Sequence, residues 1–266
     1  MSATRVSFDA FNPCIPYQGE AQEICWDAFD TPDPATKRAL AQEALDVDPL
    51  CIDACNIFAG LANNEQDYAK VLEWAQKASD SAYRLNPDII MIKPCEWGIN
   101  EHRPYLRSLF WKVIAFNGLQ MWQEALHAAK FLLEVNPGDN QGVRYMISDL
   151  LFRTENYEGQ RALLAQFPDE ASIKLVMAGA LLAFLDSKSG TVGDIAVRDK
   201  KLKNALKENP LVADYLLGKK VISEKSPEYI TVGGASEAQE YARHSQAIWE
   251  TIPGALDWLR SVANKK

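Results

Sequence analysis

Two arginines and two aromatic residues lie close together in the stretch "WGINEHRPYLR". Arg103 and Arg107 are four residues apart, so they share one face of any helix that contains them. Trp97 and Tyr105 place aromatic rings in the same stretch. Guanidinium groups bind carboxylate and phosphate oxygens in pairs, and they also stack on aromatic rings. The stretch therefore predicts a basic and aromatic patch suited to an acidic or carboxylate-bearing partner.

A second candidate is "NPGDNQGVRY", which ends in Arg144 and Tyr145. The turn residues at its start are typical of a joint between helices, and we expect Asn140 to cap the second helix with Gly142 in its first turn. A glycine there costs about 1 kcal/mol relative to alanine, so it suggests close approach by a neighbour. Adjacent residues point to different sides of a helix, so we expect Arg144 and Tyr145 to diverge.

Both stretches have a structural alternative. The arginines could form ion pairs that fix the packing of one helical repeat on the next, with Glu101, Asp139 or Asp149 as the expected acids. In that case the second stretch is only a joint. The residue types leave both interpretations open.

Motifs for catalysis or metal binding are scarce. Glu101-His102 resembles the start of a zinc-protease motif, but Leu106 stands where the second histidine is required. Cys51 and Cys55 are four residues apart, yet no second Cys/His pair lies at a ligand spacing. There is no P-loop and no Gly-x-Ser-x-Gly elbow. We therefore expect no metal, no cofactor and no catalysis, although a Cys–His pair that meets only in the fold stays open as an enzymatic alternative.

Charge narrows the class of partner. The 266 residues carry a net charge of −8, and residues 1–97 alone have 7 Lys/Arg against 16 Asp/Glu. Nucleic-acid binding needs a broad positive field, so we expect no nucleic acid. The basic run from Arg198 to Lys207 is interpreted as the solvated face of one helix, with phosphate contact as its alternative.

The sequence also predicts a cytoplasmic protein. Residues 1–24 lack a basic start followed by an apolar run. The most apolar segment, Leu175 to Leu185, is too short to span a bilayer. Five scattered cysteines favour free thiols over a disulfide framework.

Helical periodicity between Asn-Pro and Asp-Pro joints predicts the elements that must position these residues. The segments from Leu50 and from Asp67 each place apolar residues on one helix face. Similar patterns predict five helix pairs, and the bounds expected for the other four are 21–29 with 34–47, 105–118 with 121–135, 140–154 with 157–167, and 172–186 with about 199–209. A looser link is expected at residues 187–197. After Gly218 we expect an irregular connection, a helix opened by a capping box at Ser236, and a last helix opened by Pro253.

These features together resemble a known family. "MWQEALHAAKFLLEVNP" is close to the second helix of a tetratricopeptide (TPR) repeat. The strings "WGINEHRPYLR", "NPGDNQGVRY", "NPLVADYLLGKK" and "PGALDWL", in this order, resemble bacterial relatives of the suppressor of tumorigenicity seven family. The resemblance implies a helical-repeat fold without established catalytic residues. Membrane association of eukaryotic members depends on extra segments that we do not find here.

The sequence thus predicts an all-α protein: a TPR-like helical-hairpin solenoid of about five pairs with an irregular helical C-terminal cap. The expected domains are an N-terminal extension (1–19), the repeat domain (20–218) and a linker with capping helices (219–266). The expected function is a non-catalytic adaptor or scaffold that binds a protein or peptide on a concave face lined by the first helix of each pair. The predicted floor consists of Trp97, Arg103, Tyr105, Arg107, Arg144 and Tyr145. A structural subunit that self-associates is the alternative.

Overall fold

The computed structural model describes residues 14–190 and 192–264, and it contains thirteen α-helices and no strand within those ranges. The all-α class is therefore confirmed. The helices are α1 (Gly19–Asp30), α2 (Pro34–Val47), α3 (Ile52–Asn64), α4 (Tyr68–Leu85), α5 (Arg103–Gly118), α6 (Trp122–Val135), α7 (Val143–Arg153), α8 (Tyr157–Gln166), α9 (Ile173–Asp186), α10 (Val192–Glu208), α11 (Val212–Leu216), α12 (Ala235–Thr251) and α13 (Ala255–Ala263). Residues 1–13 of the predicted N-terminal extension lie outside the described ranges.

Several helix ends follow from simple capping chemistry. Asp33 and Asp67 accept hydrogen bonds from backbone N–H groups in the first turns of α2 and α4. Pro34 opens α2, where its missing N–H costs nothing. Ser172 caps α9 in the same way. These ends lie within two residues of the bounds that the sequence predicts.

Other predicted ends are wrong. The capping box at Ser236 does not form: α12 begins one residue earlier, and the Ser236 hydroxyl instead accepts from the Thr231 N–H at 2.8 Å. The predicted loose link is also partly wrong, because α10 already begins at Val192. One position of that link, Thr191, lies outside the described ranges.

The chain divides into two compact units, Met1–Val143 and Arg144–Lys266. In the first unit consecutive helices pack in pairs, α1 with α2, α3 with α4 and α5 with α6. The first helices of these pairs also pack on one another, α1 on α3 and α3 on α5. Small residues such as Ala21, Ala41 and Ala54 fill the core between them and allow close approach. The predicted boundary at residue 218 stays a prediction.

The second unit has its own core, built around α9. Phe184 of α9 stacks on Trp258 of α13 with ring centroids 4.8 Å apart. The Trp249 indole N–H donates to the Tyr241 hydroxyl at 2.8 Å, so the polar atom of each buried ring is satisfied. All six residues of the stripe predicted on α12 are buried: Ala238, Tyr241, Ala242, Ser245, Ile248 and Trp249.

Among the described residues, none of the helices has the length and apolar character that a membrane span requires.

Candidate functional site

A groove of about 470 Å³ in the first unit is lined by the first helices of three successive pairs. We call it the Arg107 groove. Its walls are mostly apolar and aromatic, with a few polar groups among them. The lining residues are Phe29, Lys37, Asn56, Ile57, Gly60, Leu61, Asn64, Trp97, Arg107, Phe110, Trp111 and Gln141.

Arg107 is held in this groove by one acid and two rings. Its Nη1 donates to Asp53 Oδ2 at 2.7 Å, and its guanidinium carbon lies 4.7 Å from the Phe29 ring centroid and 5.5 Å from that of Trp97. The Arg103 guanidinium lies 5.6 Å from the same Trp97 ring, and its Nε donates to the Trp97 carbonyl at 2.8 Å. The structure therefore brings Trp97, Arg103 and Arg107 together, as the sequence predicts.

Asp53 organises the site, and sequence reasoning missed it. The side chain is 1% exposed and accepts from the amides of Gln22 and Asn56, each at 3.0 Å, in addition to Arg107. A buried carboxylate is tolerable only when it is paired in this way. The available signal was an acid inside the apolar run "LCIDACNIF". The expected acid, Glu101, is not the partner.

Two buried carbonyl oxygens on the groove wall have no hydrogen-bond partner among the described residues. One is Oδ1 of Asn56, whose amide nitrogen already donates to Asp53 and to the Pro104 carbonyl. Because both amide hydrogens are used, the orientation of this side chain is fixed. The other is Oε1 of Gln141, whose nitrogen donates to the Leu106 carbonyl. An unpaired buried acceptor costs roughly 1–3 kcal/mol.

Gly60 explains how Trp111 fits in the groove. A Cβ at position 60 would lie 3.2 Å from the Trp111 ring, closer than carbon atoms normally pack. Glycine in mid-helix is otherwise unfavourable by about 1 kcal/mol. The aromatic wall of the groove therefore depends on a glycine in α3.

Tyr105 does not join the arginines, so its predicted place in the patch is wrong. Its side chain lies on the other side of α5 and is 3% exposed. Burial, followed by the nearby thiols of Cys95 and Cys14, raises the pKa of its hydroxyl. A residue two positions from Arg103 and from Arg107 points away from both on a helix.

Arg144 and Tyr145 belong to the second unit, where they converge on one acid. Arg144 Nε donates to Glu170 Oε2 at 2.9 Å, and its Nη2 donates to the Tyr145 hydroxyl at 2.8 Å. The Tyr145 hydroxyl in turn donates to Glu170 at 3.2 Å. The expectation that the two side chains diverge is wrong, because a long arginine at a helix start folds back over its neighbour's ring.

Glu170 is stabilised as a carboxylate. Burial alone would raise its pKa, but the Ser172 N–H and the Arg144 guanidinium outweigh burial, so the pKa lies below its usual range. Glu170 was not among the acids expected from the sequence. The contacts tie the start of α7 to the joint before α9.

The joint before α7 also differs from the expectation. Asp139, rather than Asn140, accepts the N–H of Val143, the first residue of α7, at 2.6 Å. Gly142 lies outside the helix with φ of 67°, a left-handed conformation that glycine adopts readily. This backbone conformation is by itself a reason for glycine at this position.

The five cysteines are all buried free thiols, and they line neither this groove nor the larger one described below. Cys14, Cys95 and His102 place one donor atom each within 4.8 Å of one another, although they are distant in sequence. His102 Nδ1 already accepts the Glu96 N–H at 2.9 Å, which assigns the ring proton to Nε2 in the neutral tautomer. Metal ligation by His102 would have to break this arrangement.

No protein-family model matches this chain, and no curated protein is significantly similar to it. The resemblance to the suppressor of tumorigenicity seven family therefore rests on the sequence motifs alone.

Proposed function

We propose that this protein is a non-catalytic adaptor that binds a segment of a protein partner in the Arg107 groove. The observation that supports this most strongly is the groove itself: an aromatic-lined concavity built by the first helices of three successive pairs. Its volume of about 470 Å³ falls within the usual range of ligand sites. The same arrangement supports the TPR-like solenoid and the family resemblance, which we keep as part of the proposal.

Aromatic and apolar contacts would supply most of the affinity. Trp97, Phe110 and Trp111 present large surfaces at little entropic cost, the kind of residue that dominates binding sites. Asn56 and Gln141 on the groove wall bond to the scaffold through their amide nitrogens, which holds the shape of this surface.

Positive charge would orient an acidic or carboxylate-bearing segment. Arg107 already shares its charge with Asp53, which reduces its attraction for a second carboxylate. Lys37 lines the groove and forms no ion pair within the described part of the chain. We therefore assign the orienting role to Lys37 together with Arg103, at the edges of the aromatic surface.

The test is a pull-down from native cell extract with wild type and the Lys37→Glu variant, followed by mass spectrometry. Lys70→Glu, an exposed lysine on α4 outside the groove, is the matched control. We expect one partner to be lost with Lys37→Glu and retained with Lys70→Glu, while all three proteins melt at the same temperature. Retention of every partner by Lys37→Glu would contradict the proposal.

A structural role in a larger assembly is the competing explanation, and it gives a different result. Self-association would appear as a concentration-dependent mass that is insensitive to Lys37→Glu. Light scattering over a dilution series distinguishes the two.

A further inference from the structure

A second and larger groove lies on the opposite side of α5. Its volume is about 770 Å³, and its floor is a stripe of α5 residues three or four positions apart: Tyr105, Leu109, Lys112 and Phe116. At 3.6 residues per turn this stripe faces away from Arg107. We call it the Lys112 groove.

The walls of this groove are two helices that both pack on α5. They are α4 and α6, and the main helix contacts of the described residues do not include α4 with α6. Residues of both helices line the groove above α5. The short 3-10 helix Ile89–Met91 borders one end, where Ile90 is 51% exposed, and Tyr83 on the α4 wall is 54% exposed.

Lys112 is the only lysine or arginine that lines this groove within the described part of the chain, and its ammonium group forms no hydrogen bond or ion pair there. Its side chain is half-buried among apolar residues. Burial lowers the pKa of its ammonium group, although Asp80 on α4 opposes this effect. A half-buried ammonium group that forms no ion pair among the described residues favours a ligand that brings a carboxylate.

The walls carry the opposite charge. Asp80 on α4 and Glu124 on α6 both line the groove and are exposed, with His127 beside Glu124. A surface with many negative charges, such as an anionic membrane or a nucleic acid, would meet both acids. The charge pattern across the groove therefore runs negative, positive, negative, and it selects a ligand with a single central carboxylate.

We propose that the Lys112 groove binds an amphipathic α-helix of a protein partner that carries one acidic residue within its apolar face and basic residues on both flanks. The acid would pair with Lys112, and the flanking bases would face Asp80 and Glu124. Apolar residues at helical spacing would pack on the floor and on Ile90 and Tyr83. Helices bind in open grooves between helices by this geometry. This surface is separate from the Arg107 groove, so the protein would hold two partner segments at once.

The experiment is a selection of displayed helical peptides on the full-length protein. The library fixes an apolar face and randomises the central and flanking positions among acidic, basic and amide residues. Affinities of the selected peptides are then measured by fluorescence anisotropy with wild type, Lys112→Met and Lys70→Met. The last variant removes an exposed lysine from α4 and serves as the matched control.

We expect the selected peptides to carry Asp or Glu at one register position and Lys or Arg on both flanks. Lys112→Met should weaken binding about tenfold or more, as the loss of a partly desolvated charge pair does, while Lys70→Met should not. Replacing the acid of the peptide by its amide should weaken binding to wild type by the same factor. The same replacement should leave the affinity for Lys112→Met unchanged. Lys112→Glu should bind the peptide with lysine in place of the acid.

Four results would overturn the proposal: no peptide is enriched, the enriched peptides lack a fixed acid, they bind Lys112→Met as well as wild type, or only a free long-chain carboxylate binds in place of a helix. Lys37→Glu distinguishes the two grooves. A peptide whose binding depends on Lys37 lies in the Arg107 groove, and that result would also overturn the assignment to Lys112.

Discussion

Arg107 and Lys112 lie on opposite sides of α5, and the fold treats the two cations differently. Arg107 bonds to a buried carboxylate and stacks on two aromatic rings. Lys112 projects into a larger groove with no ion-pair partner in the described part of the chain. One helix therefore carries one cation that is paired within the fold and one that has no ion-pair partner among the described residues. Removal of the first should cost stability, and removal of the second should cost only binding.

The largest expected effect comes from Asp53, the acid that holds Arg107. Asp53→Ala would leave Arg107, Gln22 and Asn56 without their acceptor, and breaking a buried ion pair in this way typically costs about 3–5 kcal/mol. Urea denaturation followed by circular dichroism measures the loss.

The double variant Asp53→Asn/Arg107→Gln is the control for this prediction. It removes both charges together. Its loss in the free energy of unfolding should therefore be smaller than the sum of the losses in Asp53→Asn and Arg107→Gln. Full additivity would mean that Arg107 and Asp53 do not act as a pair, and the contrast with Lys112 would fail.

Arg144 provides an intermediate case, because its partner Glu170 is 17% exposed whereas Asp53 is 1% exposed. We expect Arg144→Met to destabilise the protein by about 1.5–3 kcal/mol, the usual value for hydrogen bonds to charged groups. The pKa of Glu170 is lowered in the fold, so its contribution is complete above the unfolded value of about 4.3 and is lost as the pH falls through the folded value.

The measurement for Arg144 is thermal stability of wild type and variant from pH 7 to pH 3. The difference between the two should shrink below about pH 4. A difference that stays constant over this range would show that Arg144 contributes by packing and not by its charge.

The smallest expected effect is that of Lys112. Lys112→Met should leave stability at pH 7 unchanged or raise it by up to about 1 kcal/mol, because it removes a half-buried unpaired charge and preserves helix propensity. The lowered pKa means that the charged form is disfavoured in the fold. The free energy of unfolding of wild type should therefore increase relative to that of the variant as the pH rises through the folded pKa towards the unfolded value of about 10.4.

The pH dependence must be compared between wild type, Lys112→Met and the control variant, because other ionisable side chains lie near Lys112. Asp80 on α4, Glu124 and His127 on α6, Tyr83 and Tyr105 are present in every variant, so the difference between wild type and Lys112→Met isolates Lys112. Lys70→Met should show no change in the same range. Marked destabilisation by Lys112→Met would mean that Lys112 belongs to the scaffold after all.

Much of the helical order could be predicted from the sequence, and the reasons are local. Residues three and four positions apart share a helix face, so apolar periodicity revealed the buried stripe of α12 and the shared face of Arg103 and Arg107. Prolines and acids before a helix marked several of the ends. The capping residues were harder to predict. Asp139 and Asn140 are both able to cap α7, and Asp139 is the one that does. Gly142 has a left-handed backbone conformation, which the sequence pattern does not distinguish from a first helical turn.

The candidate site was predictable only in part, because its partners come from distant segments. Asp53 meets Arg107 across 54 positions, and Arg144 meets Glu170 across 26. No spacing rule identifies such pairs, since they depend on which helix faces pack together. The Lys112 groove was missed for the same reason, although its floor has a clear helical spacing on α5.

The sequence by itself determined the all-α class, most helix positions and the presence of an arginine–aromatic cluster, because these depend on interactions within a few residues. Tertiary structure alone decided that Arg107 pairs with Asp53 and Arg144 with Glu170, and that Lys112 has no ion-pair partner in the described part of the chain. Those outcomes depend on burial and on helix packing. The desolvation free energy of a charge becomes large only when neighbouring elements exclude water from it.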